Sequence, residues 1–591
     1  MTMKTDTDVL VVGGGGAGFR AAIAARERGM RVLLLSKGPL GRCGATPMAG
    51  ADFTLDGRSL SLIEGLRGDP HDSPEKVFND MVTQGSFLNN QKLVEQYIKT
   101  APQCLKELID WGIKIKLSDE RMIFTSGLEI MDALIGKARA IGVDFLEDVF
   151  LLDLITRNGK IVGALGLDIR SGEFMRFRCK AVVMATGGWH KAFWPNTGMR
   201  DLSGEGMAMA FRAGADLGNL EFITFCCNVF LDPPIWRGSI APYVLSLIAG
   251  GRLTNSMGDE FLKKYDSFIV KVGTSTEWNK SFISHATAKE VRTGRGLPNG
   301  GVHYTRGEVP WANIEIIASL IFPKWKYKAI DFSEWGRKLK ENEPVEVGPA
   351  VEYFEGGIKV NENFESTLPG LYAAGECALG PFGANRVFSA ITEMLVHGAD
   401  SGSMAGEYAA KEKTADPDKG VLAILEEKAE ASLRRQQGLR PAEVRRRVQE
   451  AAHKYLGPIR NREDLLSFIN FLRSIRKDEI PNLATTSKSP IYNKEWIDAI
   501  ELPNMVELLE MAAQSALHRT ESRGVHYRED YPDTDNDHWL KESIVKRTAD
   551  GFETIQGPLT ITAMTPPTGF TPYLDFVKTM MASHSDTGGK H

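Results

Sequence analysis

The apolar residues of this chain fall into two regimes. Asp8 to Val12 is a nearly unbroken apolar run that leads into Gly13-Gly14-Gly15-Gly16-Ala17-Gly18. Such a run predicts a buried strand, and the small and apolar residues from Phe19 to about Gly29 predict a helix behind it. Val32 to Leu35 predicts a second strand. AVVMATGG at 181–188 predicts a third that ends in a turn of small residues, and LYAAGECALGPFGANRVFS at 371–389 repeats that arrangement. From about 411 to 540 the pattern shifts to apolar returns at three and four. VLAILEEKAEASLRRQQ, PAEVRRRVQEAAHKYL and MVELLEMAAQSALHR all predict helices. Residues 223–345 mix Trp, Pro and charged segments with little clean periodicity. The Thr-, Pro- and Gly-rich stretch after about 550 predicts a β-like or extended arm, loose from Ser583 onward.

Composition narrows the function classes. A length of 591 residues implies several domains. The net charge of -5, from 71 basic and 76 acidic residues, leaves no basic excess to recommend a nucleic-acid partner. Runs such as Ala241 to Gly250 are too short to span a bilayer, so contact with a membrane is expected only through partners. The chain enters its first strand without a signal-peptide pattern. Its six cysteines, at 43, 104, 179, 226, 227 and 377, show no C-x-x-C spacing. A reduced, cytoplasmic protein without a metal site of its own is the expectation. An iron–sulfur cluster needs about four closely spaced thiolates, so any cluster that exchanges electrons here must sit in another polypeptide.

The glycine run carries the first chemistry. In Gly13-x-Gly15-x-x-Gly18, the first glycine permits a tight turn. The second lets the backbone approach a pyrophosphate, and the third lets helix and strand pack closely. The helix N-terminus then offers N–H groups to phosphate. The second strand ends at Ser36-Lys37, where these folds meet the adenosine ribose. NAD sites usually carry an acid there, so Ser36 points to FAD. The turn Ala185-Thr186-Gly187 lets backbone lie against a cofactor without side-chain bulk. Glu376, directly after a glycine at a strand end, can accept from sugar or ribityl hydroxyls, and Arg386 can face a flavin or an anionic substrate.

Taken in order, ATGG at 185–188, EF at 221–222, KEVRTGRG at 289–296, GLYAAGEC at 370–377, GANR at 383–386 and ESRGVHYREDYP at 521–532 make the chain resemble a known family. It is the flavoprotein subunit family of succinate dehydrogenase and fumarate reductase, whose relatives include aspartate oxidase and the adenylylsulfate reductase alpha subunit. The resemblance implies an α/β fold with a Rossmann-like, two-part FAD-binding domain at about 1–222 and 346–410. An α+β capping domain at 223–345 is inserted between the parts. A helical domain at 411–545 and an extended tail at 546–591 follow. It adds Gly16, Ala17, Gly44, Ala45, Thr46, Gly50, Glu205, Ser389 and Ile391 to the cofactor-binding set. It also implies an iron–sulfur partner subunit in a hetero-oligomer and a small organic substrate.

The resemblance is less complete at the reacting centre. Matched without gaps on KEVRTGRG, the family's proton-donating Arg falls at Lys280 and a further Arg at His285. The HPT histidine falls at Cys226, and the histidine of HYxMGG falls at Glu352 in EYFEGG. A substrate-contacting Glu falls at Ala249. Only Arg386 is retained from the carboxylate-binding set, and Lys cannot reproduce the Arg fork. Lys280, His285, Glu352 and Arg386 are therefore the candidate catalytic residues, with fumarate and succinate disfavoured as substrates. Relatives with covalent flavin use the His of RSHT. Gly44 stands there in Arg42-Cys43-Gly44-Ala45-Thr46, which implies noncovalent FAD. Two other readings stay open: an adenylylsulfate-reductase-like enzyme, and a noncatalytic electron-relay subunit. ESRGVHYREDYP reads as a salt-bridged turn ahead of a direct substrate contact.

Overall fold

A computed structural model describes residues 3–49, 52–266, 277–315, 332–386 and 388–585. Strands β1 (Val9–Val12), β2 (Val32–Leu35), β3 (Asp144–Leu146) and β4 (Ala181–Met184) share one parallel sheet, with β1 between β2 and β4. All four residues of β1, β2 and β4 are buried, which is why they read as continuous apolar runs rather than alternating ones. Helix α1 (Gly16–Glu27) lies against this sheet. A Cβ on Gly18 would stand 1.9 Å from the Gly13 carbonyl oxygen, so only glycine allows this helix-to-strand approach. Helix α2 (Glu205–Ala213) follows β4 and is buried along most of its length.

The chain then leaves the sheet to build the cap. Strand β5 (Ile223–Phe230) and helix α3 (Glu277–Arg292) meet strand β6 (Val345–Phe354), which pairs antiparallel with β5. The far end of β6 returns to the first domain with Glu352 and Tyr353. Strand β7 (Leu371–Ala373) then pairs parallel with β4 and completes the five-stranded sheet. Helix α4 (Ala390–Lys411) runs along α1 at close range: a Cβ on Gly402 would stand 2.1 Å from the Ala21 carbonyl oxygen.

Helices α5 (Lys419–Arg434), α6 (Pro441–Tyr455), α7 (Arg462–Ser474) and α8 (Lys494–His518) form the helical region. Helix α8 is buried on most sides and contains Pro503. The segment after it is a buried electrostatic knot. Arg519 donates to Glu221 at 2.7 Å and Glu521 at 2.9 Å, and Arg523 donates to Glu521 at 2.9 Å, all with fully buried side chains. Arg528 gives hydrogen bonds to the carbonyls of Ala516 and Leu517 at the end of α8. The segment ESRGVHYREDYP, read from sequence as a salt-bridged turn, is here a largely buried ion-pair network.

The tail departs from the expectation of an extended arm. Strands β8 (Glu542–Thr548) and β9 (Gly551–Gly557) form an antiparallel hairpin, which fits a β-like reading. Helix α9 (Tyr573–Ser585) follows and buries Tyr573, Phe576, Val577 and Met580 in the cap core. Its apolar face supplies the reason: four residues at helical spacing fill the space beside the helix at residues 74–84.

Candidate active site

A cavity of about 270 Å³ opens at the C-terminal ends of β1, β2, β4 and β7, where ligands bind in open parallel sheets. Of the residues read from sequence, it is lined by Gly13, Gly15, Gly16, Ala17, Lys37, Gly44, Ala45, Thr46, Ala185, Thr186, Gly187, Glu205, Glu376, Arg386, Ile391 and Glu352. Gly18, Ser36, Ser389, Lys280 and His285 are not among its lining residues. Gly18 serves helix packing instead. Ser36 turns its hydroxyl to the Gly38 carbonyl at 2.7 Å, and Ser389 caps α4 by accepting from Ile391 and Thr392. Gly50 and the side chain of Ala249 lie outside the described residues.

The glycine turn is built for close approach. Gly13 sits at φ 125°, and a Cβ there would stand 2.1 Å from the Ala185 carbonyl oxygen. A Cβ on Gly15 would meet nothing closer than Thr46 Oγ1 at 3.7 Å, so its outer face is open to the cavity. The Gly16 N–H donates to Thr46 Oγ1 at 3.1 Å, which fixes the loop beneath.

Lys37 is less a ligand contact than a tie. Its Nζ lies 2.8 Å from Glu205 and 2.7 Å from Glu501 of α8, and it donates to the Asp201 carbonyl at 2.7 Å. Burial pulls its pKa down, but the two carboxylates outweigh that and hold the ammonium charged. Asp201 also accepts from the Gly44 N–H at 2.7 Å. Cys43 Sγ stands 3.3 Å from Ser36 Oγ, and burial pushes the thiol up despite that hydrogen bond.

The opposite end of the cavity joins the cap. Lys280 of α3, buried, reaches Glu352 at 2.7 Å and lies 4.7 Å from the Tyr243 ring centroid. The His190 Nε2 is 2.8 Å from the Glu352 carbonyl oxygen and 3.6 Å from Glu376. The Arg386 guanidinium lies over the Tyr353 ring at 4.9 Å. Two buried carboxyls flank it. Glu355 accepts from Thr224 and, at 3.3 Å, from the Arg386 N–H; Glu393 accepts from the Tyr353 hydroxyl. Burial pushes each up to about 8, against the lowering effect of Thr224 on Glu355 and of Tyr353 on Glu393. Burial raises Glu376 as well.

His285 sits apart from these groups. It packs against Tyr527 and Tyr573 at ring distances of 4.9 and 5.9 Å, and burial lowers its pKa to about 3. Cys226 is buried in β5, opposite Ala350 of β6. Arg295 is committed to Glu290, and Arg292 to Asp464 and Glu529. Sequence reasoning missed His190, Tyr353, Glu355, Glu393, Asp201 and Glu501. Two left a usable signal: Glu355 lies in EYFEGG, three residues past Glu352, and Glu393 is an acid in the first turn of a helix made mostly of small and apolar residues.

Models of known families match most of the chain. The FAD binding domain model covers residues 8–122 and 116–390, and the fumarate reductase flavoprotein C-terminal model covers 445–571. The chain belongs to the fumarate reductase and succinate dehydrogenase flavoprotein family. It is an FAD-dependent oxidoreductase. It is 28% identical to a fumarate reductase (CoM/CoB) subunit of Methanothermobacter marburgensis, over 92% of this chain and 97% of the relative. It is 30% identical to an uncharacterized FAD-dependent oxidoreductase of Methanocaldococcus jannaschii, over 93% and 97%. Its fold matches the E. coli quinol fumarate reductase flavoprotein FrdA with a TM-score of 0.84 at 25% identity, over 96% and 99%. The cavity suits that cofactor on its own geometry. Besides the open Gly15 face, the buried Thr186 hydroxyl and Glu376 Oε1 have no hydrogen-bond partner within the protein. Among the described residues, no helix is long and apolar enough to cross a membrane.

Proposed function

We propose that this chain is the flavin-bearing subunit of a hetero-oligomeric oxidoreductase, acting on an organic substrate other than fumarate or succinate and exchanging electrons with an iron–sulfur partner subunit. The observation that carries the reading is the 2.7 Å Lys280–Glu352 ion pair, at the positions where the resemblance puts an Arg and a His. A dicarboxylate needs positive charge at both ends. Here the cap cation is already neutralised by a carboxylate of the protein, which leaves Arg386 as the anchor.

Noncovalent FAD, when bound, supplies the hydride acceptor or donor. The glycine turn, Thr46, Ala185–Gly187 and Glu376 would hold it. Arg386 orients the substrate by its anionic or polar end against Tyr353. Lys280 carries the proton that balances the hydride, and Glu352 sets its position. We place His285 outside the reacting set, because its ring is enclosed by two tyrosines and kept neutral by burial.

The test is anaerobic reoxidation of the dithionite-reduced protein, followed by its absorbance, with fumarate and then a panel of other unsaturated acids, esters and amides. Loss of one well-placed donor costs roughly 10²–10³ in rate, and here several are replaced. Fumarate is expected to leave the absorbance unchanged, and Lys280→Arg alone to restore little. Rapid fumarate turnover by the unmodified chain would refute the reading.

A further inference from the structure

A second cavity, of about 470 Å³, shares no lining residue with the first and lies between the strand Val149–Arg157 and the helical region. Its buried floor is apolar: Leu152, Ala429, Leu483 and Ala499. Its acids, Asp153 and Glu507, are both engaged by Arg212 of α2, at 3.1 and 3.0 Å. The basic groups at the mouth are differently placed. Lys428 is exposed, and Arg435 gives one N–H to the uncharged Leu483 carbonyl at 2.6 Å. Among the described residues, no carboxylate forms an ion pair with either. Pro503, in the α8 wall, has no N–H to give the Ala499 carbonyl, so the helix ladder is interrupted where it faces the cavity.

We propose that this cavity is a binding site for an amphipathic organic anion, with the apolar body on the Leu152–Ala499 floor and the anionic group at Lys428 and Arg435. Its volume falls within the roughly 300–1,000 Å³ of small-molecule sites, and its pattern of apolar walls with few convergent polar groups is theirs as well. The charge arrangement decides the sign of the ligand. The two acids share one cation, Arg212, and Arg476 shares Glu510 with Arg473, whereas among the described residues Lys428 and Arg435 have no carboxylate partner. A cationic or purely apolar ligand would forgo that attraction.

The probe is anilinonaphthalene sulfonate, an aromatic body with one sulfonate, titrated by fluorescence into the FAD-loaded chain so that the first cavity is filled. One saturable site is expected, displaced by decanoate. Phenylnaphthylamine, with the same rings but no sulfonate, should bind roughly tenfold more weakly or worse, a difference worth about 1.4 kcal/mol. Lys428→Glu alters an exposed side chain and should weaken the probe by a similar factor. Ala431→Trp, at an exposed lining position, should block it. Both variants should keep the flavin spectrum and melting temperature, which separates loss of the site from loss of the fold. Unsaturable binding, or binding indifferent to both variants, would overturn the proposal. So would a site hidden in the native complex and uncovered on dissociation of the complex, since that would assign the cavity to a partner's segment.

Discussion

At the scale of single residues, the cofactor end and the reacting end of the site were unequally legible. The glycine turn could be read from spacing alone because its chemistry is an absence of side chains at fixed intervals. Gly15→Val and Gly18→Val should both yield apoprotein, the first by filling the open cradle and the second by driving α1 off β1. The flavin absorbance of the purified variants checks this. Lys37 and Ser36 were placed at the correct strand end, but sequence could not show which partners they take. Lys37 is bound by acids from α2 and α8, and the latter lies more than four hundred positions away in the chain. The carboxyls around Arg386 carry a prediction of their own. Glu355 and Glu393 hold their protons more tightly folded, at about 8, than at the ordinary 4.5. At these two sites folding therefore takes up protons, and their contribution to stability falls as pH climbs from about 4.5 to about 8. In Glu393→Gln the share of that decline due to residue 393 is lost, so the variant should gain on the parent in melting temperature between pH 5 and pH 8. A constant difference across that range would mean that Glu393 ionises at its ordinary pKa.

At the scale of elements, the buried strands and long helices followed from hydrophobic period, and the errors lie where tertiary partners decide. Helix α9 shows this. Its sequence is short and follows a Thr- and Pro-rich stretch, so local signals favour an extended arm. The helix is fixed by Tyr573, Phe576, Val577 and Met580 entering a core that belongs to the cap. Mixed charges and aromatics in ESRGVHYREDYP pointed to ion pairing, but not to complete burial. That distinction sets the size of the effect. Arg519→Ala would leave Glu221 buried without its cation and Glu521 with Arg523 alone, a loss of about 3–5 kcal/mol for breaking a buried pair. Urea denaturation should record it as a lower midpoint with little change in slope. A shift typical of an exposed ion pair, about 1 kcal/mol or less, would mean that water reaches the network.

At the scale of the whole molecule, the architecture predicts how the protein behaves in purification. Gly44 offers no nucleophile and the half-buried Cys43 thiol is hydrogen-bonded to Ser36 with its pKa raised, so acid precipitation should release all the flavin into the supernatant. A fluorescent band in a denaturing gel would contradict this. Native purification should retain an iron–sulfur subunit, and a lone flavoprotein that reacts rapidly with oxygen would favour an oxidase instead. The order of the sheet has a further consequence, for synthesis. β7 pairs with β4, yet the whole cap is made between them, and Glu501, which ties Lys37, comes later still. At ribosomal speeds of about 5–20 residues per second, β4 waits roughly 10–40 s for β7. During that wait the nascent sheet has an open edge beside the glycine turn. The ribosome-bound chain is thus exposed to mispairing before it can retain its flavin, and cofactor supply cannot protect it until translation is nearly finished.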